Sequence, residues 1–256
     1  MTTLITSTTL TSGYQLTADS TGTLTIQTGS GPTTAMYIDA NQNVGFGTTS
    51  PTFFSSTFKV LEVKGTDTGV IQATGASTSV TVELLGGSSA GYVGTRTTHP
   101  LVLRTGDTER MRIDTSGTVT MTGQPAFYAY NPNSNIMNQG TVVWQNTRVN
   151  KRNGYNATTG IFTAPAAGTY LFQLYFRLNP VNAYIHPTFY YNSVNQGDGY
   201  GIQYSSGAAN SYQSVVSFIM ITMAVNDTML VNLSGSNSAS ASIEVGQSKW
   251  LGFLIS

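Results

Sequence analysis

The sequence predicts an all-β chain in two parts, an elongated β-rich N-terminal stalk and a C-terminal sandwich. Three observations carry that expectation. Short runs such as Thr23-Leu-Thr-Ile-Gln27, Val80-Thr-Val-Glu-Leu84 and Thr118-Val-Thr-Met121 alternate with period two and are rich in β-branched side chains, the pattern of a half-buried strand. Gly, Ser, Asn and Asp interrupt these runs every few residues, where turns belong. No window of ten or more residues joins helical periodicity to a helix cap, so no helix is predicted.

A composition break separates the two parts. Residues 1–124 hold 31 of the 40 threonines but 7 of the 27 aromatic residues, whereas residues 125–256 hold both tryptophans and 11 of the 14 tyrosines. A buried aromatic contributes on the order of a few kcal/mol. The second part can therefore build a core of its own. The first, with short and dispersed apolar runs, needs partner chains or a repetitive architecture to cover them.

Charge and cysteine content exclude several classes. Charged residues make up 9% of the 256, with 11 basic and 11 acidic side chains and a formal net charge of zero. A nucleic-acid binder needs a basic footprint that is missing here. The strongest run without charge, residues 211–226, still carries Ser, Gln and Thr, so no membrane span is expected. Residues 1–10 lack a basic segment and a long apolar run, so no secretory signal is expected either. With no cysteine, no disulfide, thiolate nucleophile or thiolate metal ligand can form.

The stalk contains a repeat. Met36-Tyr-Ile-Asp-Ala-Asn-Gln-Asn-Val44 and Met111-Arg-Ile-Asp-Thr-Ser-Gly-Thr-Val119 share Met, Ile, Asp and Val at the same spacing, and Ala18-Asp-Ser-Thr-Gly-Thr-Leu24 is a candidate third copy. Each reads as a hairpin in which the Asp binds its own turn backbone. A lone hairpin is marginally stable in water, so such units are expected to pack against copies of themselves. These segments also resemble the tail-fibre proteins of bacteriophages. The resemblance rests on Met36-Tyr-Ile-Asp39, Asn43-Val-Gly-Phe-Gly-Thr-Thr-Ser-Pro51, Gly91-Tyr-Val-Gly-Thr-Arg96, His99-Pro-Leu101 and Glu109-Arg-Met-Arg-Ile-Asp114, and spans roughly residues 34–123.

In the second part, Tyr170, Phe172, Leu174 and Phe176 form one face of a strand, with Leu171, Gln173, Tyr175 and Arg177 on the other. Between residues 214 and 223, Val215, Ile219, Ile221 and Met223 oppose Val216, Phe218 and Met220. In the last strand Trp250 and Leu254 oppose Leu251, Phe253 and Ile255. Strands apolar on both faces need cover on both. A sandwich core supplies one cover. A neighbouring subunit, or long loops of the same chain, supplies the other. Phe218, Met220, Trp250 and Phe253 are the subunit-contact candidates.

This part resembles the globular head of complement C1q, of the tumour necrosis factor superfamily. Pro125-Ala-Phe127, Asn150, Asn153-Gly-Tyr155, Thr159-Gly-Ile-Phe-Thr-Ala-Pro165, Gly168-Thr-Tyr-Leu-Phe172, Asn226-Asp-Thr-Met-Leu-Val231 and Lys249-Trp-Leu-Gly-Phe-Leu-Ile255 carry the resemblance. It implies a ten-stranded jelly roll that assembles as a homotrimer and binds ligands. Asn226 stands where that family usually has Gly. The domains expected are a polar virion-attachment segment (1–33), a fibre stalk (34–124) and a jelly-roll head (125–256).

Catalytic chemistry is poorly supplied. His99 and His186 each precede a proline, nothing positions a nucleophile, and the head offers only Asp198, Asp227 and Glu244 as acids. No catalytic residue and no metal ligand is assigned, and the chain is not expected to be an enzyme. No cofactor is expected, although the family resemblance admits Ca2+ without assigned ligands. Tyr190, Tyr191, Tyr200, Tyr204 and Tyr212, with Asp198, crowd a Gly/Ser/Asn-rich stretch. That is the composition of adaptable binding surfaces, and these six are the receptor-contact candidates. The sequence thus points to a virion-surface fibre, made in the host cytoplasm, that joins other virion proteins through its N-terminus. Its head would contact a host polysaccharide or protein, with no nucleic-acid partner and no membrane insertion. A purely structural capsid or decoration fibre and a fibre-borne glycan depolymerase are the alternatives.

Overall fold

The computed structural model describes residues 20–29, 33–52, 58–77, 79–132, 140–178, 184–198, 203–204, 213–235 and 244–256. Among them there is no α-helix, and one 3-10 turn spans Val245–Gln247. The chain divides into two compact units, residues 1–102 with 112–119, and residues 103–111 with 120–256.

The N-terminal region consists of small sheets. β1 (Leu24–Thr28), β2 (Thr33–Ile38) and β3 (Val44–Phe46) form an antiparallel meander, and β4 (Leu61–Val63) adds to β3 in parallel. A second meander joins β5 (Gly69–Thr74), β6 (Thr81–Gly86) and β7 (Gly91–Thr95). A third sheet orders β8 (Leu101–Thr105), β9 (Thr108–Ile113) and β10 (Val119–Thr120) as β10-β9-β8.

The sequence repeat is a structural one. In the β2–β3 loop the Asp39 carboxylate accepts the amides of Asn41 and Asn43 at 2.8 Å each. In the β9–β10 loop Asp114 accepts those of Ser116 at 2.9 Å and Thr118 at 2.8 Å. The backbone closes each loop identically, with Asp39 N to Asn43 O and Asp114 N to Thr118 O, both 3.0 Å. Three residues after the Asp, Gln42 and Gly117 take φ of +67° and +88°, and Gly22, at the same place in the third copy, takes +77°. Asp19 itself lies outside the described residues. Asn43 adds a tie of its own: its buried side chain donates to Asp39 at 2.9 Å and accepts from Val60 N at 3.0 Å, which holds the approach to β4 against β3.

The head is a two-sheet sandwich. Its strands are β11 (Ala126–Pro132), β12 (Gly140–Thr141), β13 (Trp144–Lys151), β14 (Tyr155–Asn156), β15 (Ile161–Thr163), β16 (Gly168–Leu178), β17 (Tyr184–Tyr191), β18 (Val194–Asp198), β19 (Gln203–Tyr204), β20 (Gln213–Met223), β21 (Thr228–Gly235) and β22 (Lys249–Leu254). One sheet runs β13-β11-β22-β16-β20. The other runs β14-β15-β21-β17-β18, with short β12 and β19 pairing to β21 and β17. The chain crosses repeatedly between the sheets, and first and last strands pair side by side. This is a jelly roll of ten main strands, as expected, with two short additions.

The core follows from period-two alternation. Tyr170, Phe172, Leu174 and Phe176 of β16 all point inward and are fully buried. They meet Phe127, Trp144, Tyr155, Phe162 and Trp250 in a continuous aromatic cluster, with Phe127 stacked on Tyr155 at 5.1 Å and Trp144 lying 5.2 Å from Trp250. Gly252 makes room for it. A Cβ there would stand 2.5 Å from the Phe127 ring and 2.6 Å from Phe172.

Two turn motifs acquire mechanical reasons. Asn150 brackets the turn ahead of β14, donating to Tyr155 O at 2.9 Å and accepting from Tyr155 N at 3.1 Å. This holds Arg152 and Asn153 at φ of +60° and +52°. Asn226 adopts φ +71°, a region that Asn tolerates better than any other residue except Gly, so the turn survives the departure from the family pattern.

Candidate functional site

Two surfaces of the head bear on function, the outer face of the β13-β11-β22-β16-β20 sheet and the β17–β18 hairpin. On the first, strand pairing assembles three cross-strand rows. Lys151, Ala126, Phe253, Leu171 and Met220 form one, Val149, Tyr128, Leu251, Gln173 and Phe218 the second, and Asn146, Tyr130, Lys249, Tyr175 and Val216 the third. At the β20 edge Val216, Phe218 and Met220 are 48%, 67% and 64% exposed. An apolar field thus covers the β20 and β22 side of this face, uncovered by its own chain.

The β13–β11 side of the same face, and the third row as it runs on into β22 and β16, are cationic and aromatic. The Arg148 guanidinium lies 5.7 Å from the Tyr128 ring and 5.2 Å from the Tyr130 ring, and the Lys249 ammonium lies 5.8 Å from Tyr175. At those separations the ring faces attract the cations. The Tyr175 hydroxyl is 2.8 Å from Ser214 Oγ. Phe218, Met220 and Phe253 all belong to this face, as the subunit-contact assignment requires. Trp250 does not. It is fully buried, paired with Ala129 and Leu174 across the sheet, and has no surface to offer another subunit. In an apolar run such as Lys249–Leu254, alternation defines two faces without saying which is inward, and here Trp250, Gly252 and Leu254 face the core.

Among the described residues, the tyrosine candidates fall at both ends of β17. Tyr190 and Tyr191 end β17 beside the β18 turn, opposite Asn195 and Val194. Tyr204, placed by its backbone, pairs with Tyr184 at the other end of β17, about 20 Å away at strand rise. Asp198 pairs with Thr188 between them. Tyr200 and Tyr212 lie outside the described residues.

Tyr191 is committed to a turn. Its hydroxyl donates to Asp227, whose carboxylate also accepts Asn192 Nδ2 at 2.8 Å and Ala224 N at 2.7 Å. Asn192 completes the lock by accepting Thr228 N at 2.8 Å. The Tyr191 hydrogen bond, then Asn192 and the Ala224 amide, hold the Asp227 carboxyl below its ordinary value, and the same carboxylate raises the Tyr191 phenol. The network joins the β17–β18 turn to the β20–β21 turn. Tyr190, on the alternate face of the strand, is half-buried and keeps an open side.

Among the described residues no cluster of three His, Asp or Glu side chains could hold a metal ion. Arg177 and Glu244 pair at 2.9 Å. The two surfaces offer apolar area, aromatic rings and hydroxyls. Tyr128, Tyr130, Tyr175 and Arg148 were not among the sequence candidates, although alternation about Phe127 and Ala129 already sets Tyr128 and Tyr130 on the outer face.

A jelly roll whose inner sheet faces meet on aromatics and whose outer face is left apolar is a recognition and assembly module. The C1q domain family matches residues 126–255, about half of the chain, and the chain belongs to that family. Among solved structures it is similar to the globular domain of zebrafish complement 1qA protein (15% identity, TM-score 0.42, covering 52% of this chain and 98% of that one) and to murine APRIL at pH 5.0 (14% identity, TM-score 0.41, covering 52% and 99%). No curated protein matches the chain. Domains of this class are typically binding modules, not enzymes, and form homotrimers.

Proposed function

We propose that the chain is a homotrimeric bacteriophage fibre protein whose head attaches the virion to a glycan on the bacterial surface. The observation that carries this reading is the uncovered outer face of the five-stranded head sheet, with Phe218 and Met220 on its edge strand β20 and Phe253 on β22. Apolar fields of this kind mark interaction sites, and the trimeric habit of the family supports a threefold partner. In a closed ring of three, each head offers the same two edges of that sheet to its neighbours. Three heads then bind one surface with high effective concentration, so each contact can be weak.

In this reading residues 1–33 join other virion proteins, residues 34–124 form the stalk and residues 125–256 the head. The protein is made in the host cytoplasm and displayed on the virion. The tail-fibre-like motifs between residues 34 and 123 support the virion assignment. The open, uncharged surface of Asn192, Ser193, Asn195 and Gln196 beside Tyr190 supports a neutral glycan ligand.

The test is binding of the purified chain to host cells, with and without periodate oxidation of their surface glycans. Saturable binding that competes with phage adsorption and falls after periodate is expected. Absence of binding by the assembled protein would leave a structural virion component. Release of reducing ends from the polysaccharide would make it a depolymerase.

A further inference from the structure

Every fully buried large apolar side chain among the described residues lies at or after Phe127. The N-terminal sheets nevertheless carry apolar faces. In the first sheet, pairing aligns Leu24, Ile38, Val44 and Leu61 in one row and Ile26, Met36, Phe46 and Val63 in the next. In the second, Ile71, Leu84 and Val93 form a row that is 48%, 55% and 64% exposed. It is flanked on the same face by Ala73, Val82 and Thr95 on one side and by Gly69, Gly86 and Gly91 on the other.

Two features say what covers these faces, the first bearing on the sheet of β1 to β4 and the second on both. First, the exposed apolar position recurs with the repeat. Seven residues after Asp19, Asp39 and Asp114 stand Ile26, Phe46 and Met121, which are 43%, 40% and 49% exposed. A cover must present apolar surface at the same recurring position, and a copy of this chain does so by construction. Second, neither face carries a charge. Glu62 lies on the opposite face of the first sheet, with Thr25, Tyr37 and Gly45. Glu83 lies on the opposite face of the second, where it pairs with Arg96 at 3.2 Å. Association of identical chains sets each charge against its own copy, at a Coulomb cost in a dry contact. These faces avoid that cost, and the pairing register between sheets of like sequence is fixed by matching repeats.

We infer that the N-terminal sheets of this chain bind, parallel and in register, the same sheets of further copies of itself, through the Ile26/Phe46 and Ile71/Leu84/Val93 rows. The inference extends the assembly proposed above from the head to the N-terminal region and rests on that reading for the number of copies.

The chain has no cysteine, so single replacements report proximity without background. Leu84→Cys, Phe46→Cys and Met121→Cys in the full chain, oxidised or treated with a short bismaleimide, are expected to give covalent dimers between like positions. Gln72→Cys and Thr25→Cys, on the opposite faces, are expected to stay uncross-linked. These are exposed sites, so the replacements leave the fold intact. Oxidation alone requires Cα separations of about 4.4–6.8 Å, and the bismaleimide captures wider ones. A multimeric chain with no like-position cross-link by either reagent, or with equal cross-linking on both faces, overturns the inference and leaves head assembly standing. A monomeric chain overturns both.

Discussion

Tyr155→Phe isolates one hydroxyl. In the β11–β13 pairing Trp144 stands opposite Pro132, and a proline has no N–H to give the facing carbonyl. The Tyr155 hydroxyl supplies what is missing: it donates to Trp144 O at 2.9 Å and accepts from Trp144 N at 3.0 Å. Burial pushes its phenol far above the ordinary range, so it remains a donor at any working pH. The Phe replacement keeps the ring stacked on Phe127 at 5.1 Å and edge-on to Trp250 at 5.5 Å, and strips both partners from a buried backbone unit. At about 1–3 kcal/mol for each of the two orphaned buried groups, the loss is about 2–6 kcal/mol. Guanidinium unfolding followed by tryptophan fluorescence measures it, because both tryptophans lie in the head core. With a slope of about 4 kcal/mol/M, the midpoint falls by roughly 0.5–1.5 M at unchanged slope and fixed protein concentration. A change under about 0.5 kcal/mol would refute the reasoning, since it would mean that water already serves the Trp144 amide and carbonyl.

Three further outcomes follow from the head. Gly252→Ala forces a methyl against Phe127 and Phe172 and costs about 1–3 kcal/mol by overpacking, seen in the same unfolding assay. Asn226→Ala, at φ +71°, costs about 1 kcal/mol in the left-handed region, whereas Asn226→Gly leaves the unfolding midpoint unchanged or higher. Asp227 is depressed below its ordinary 3.8 by Tyr191, Asn192 and the Ala224 amide. A carboxyl lowered in the folded state stabilises above its unfolded pKa and loses that stabilisation as pH falls through its folded pKa. Thermal midpoints therefore stay level with respect to this group from pH 7 to 5 and drop below about pH 4, and Asp227→Asn weakens that acid dependence.

Much of the architecture is legible because strand alternation is local. Tyr170 to Phe176 reads as a core face directly from period two, and the same alternation sets Val216, Phe218 and Met220 together on one face of their strand. The Asp39 and Asp114 loops are legible for the same reason: each carboxylate binds amides two and four residues ahead. What escapes is set by partners distant in sequence. Trp250 is interior because Ala129 and Leu174 flank it, which no reading of residues 249–255 alone contains. Tyr191 looks like a free binding tyrosine until Asp227, 36 residues on, engages its hydroxyl. The parallel addition of β4 to β3 depends on Asn43 reaching Val60, again invisible to a pattern of alternating residues. Tyr128 and Tyr130 were legible by alternation, but their joint contact with Arg148 needed the β11–β13 register.

The central claim is that the outer face of the five-stranded head sheet is an assembly surface. The direct measurement is the solution mass of the full chain by light scattering after gel filtration, set beside the Phe218→Asp/Met220→Asp double variant. Three times 27.2 kDa is expected for the native sequence and a lower mass for the variant, with its tryptophan fluorescence unchanged because both substitutions are exposed. A native chain that runs as a 27.2 kDa monomer, or a double variant that assembles as the native chain does, would contradict it.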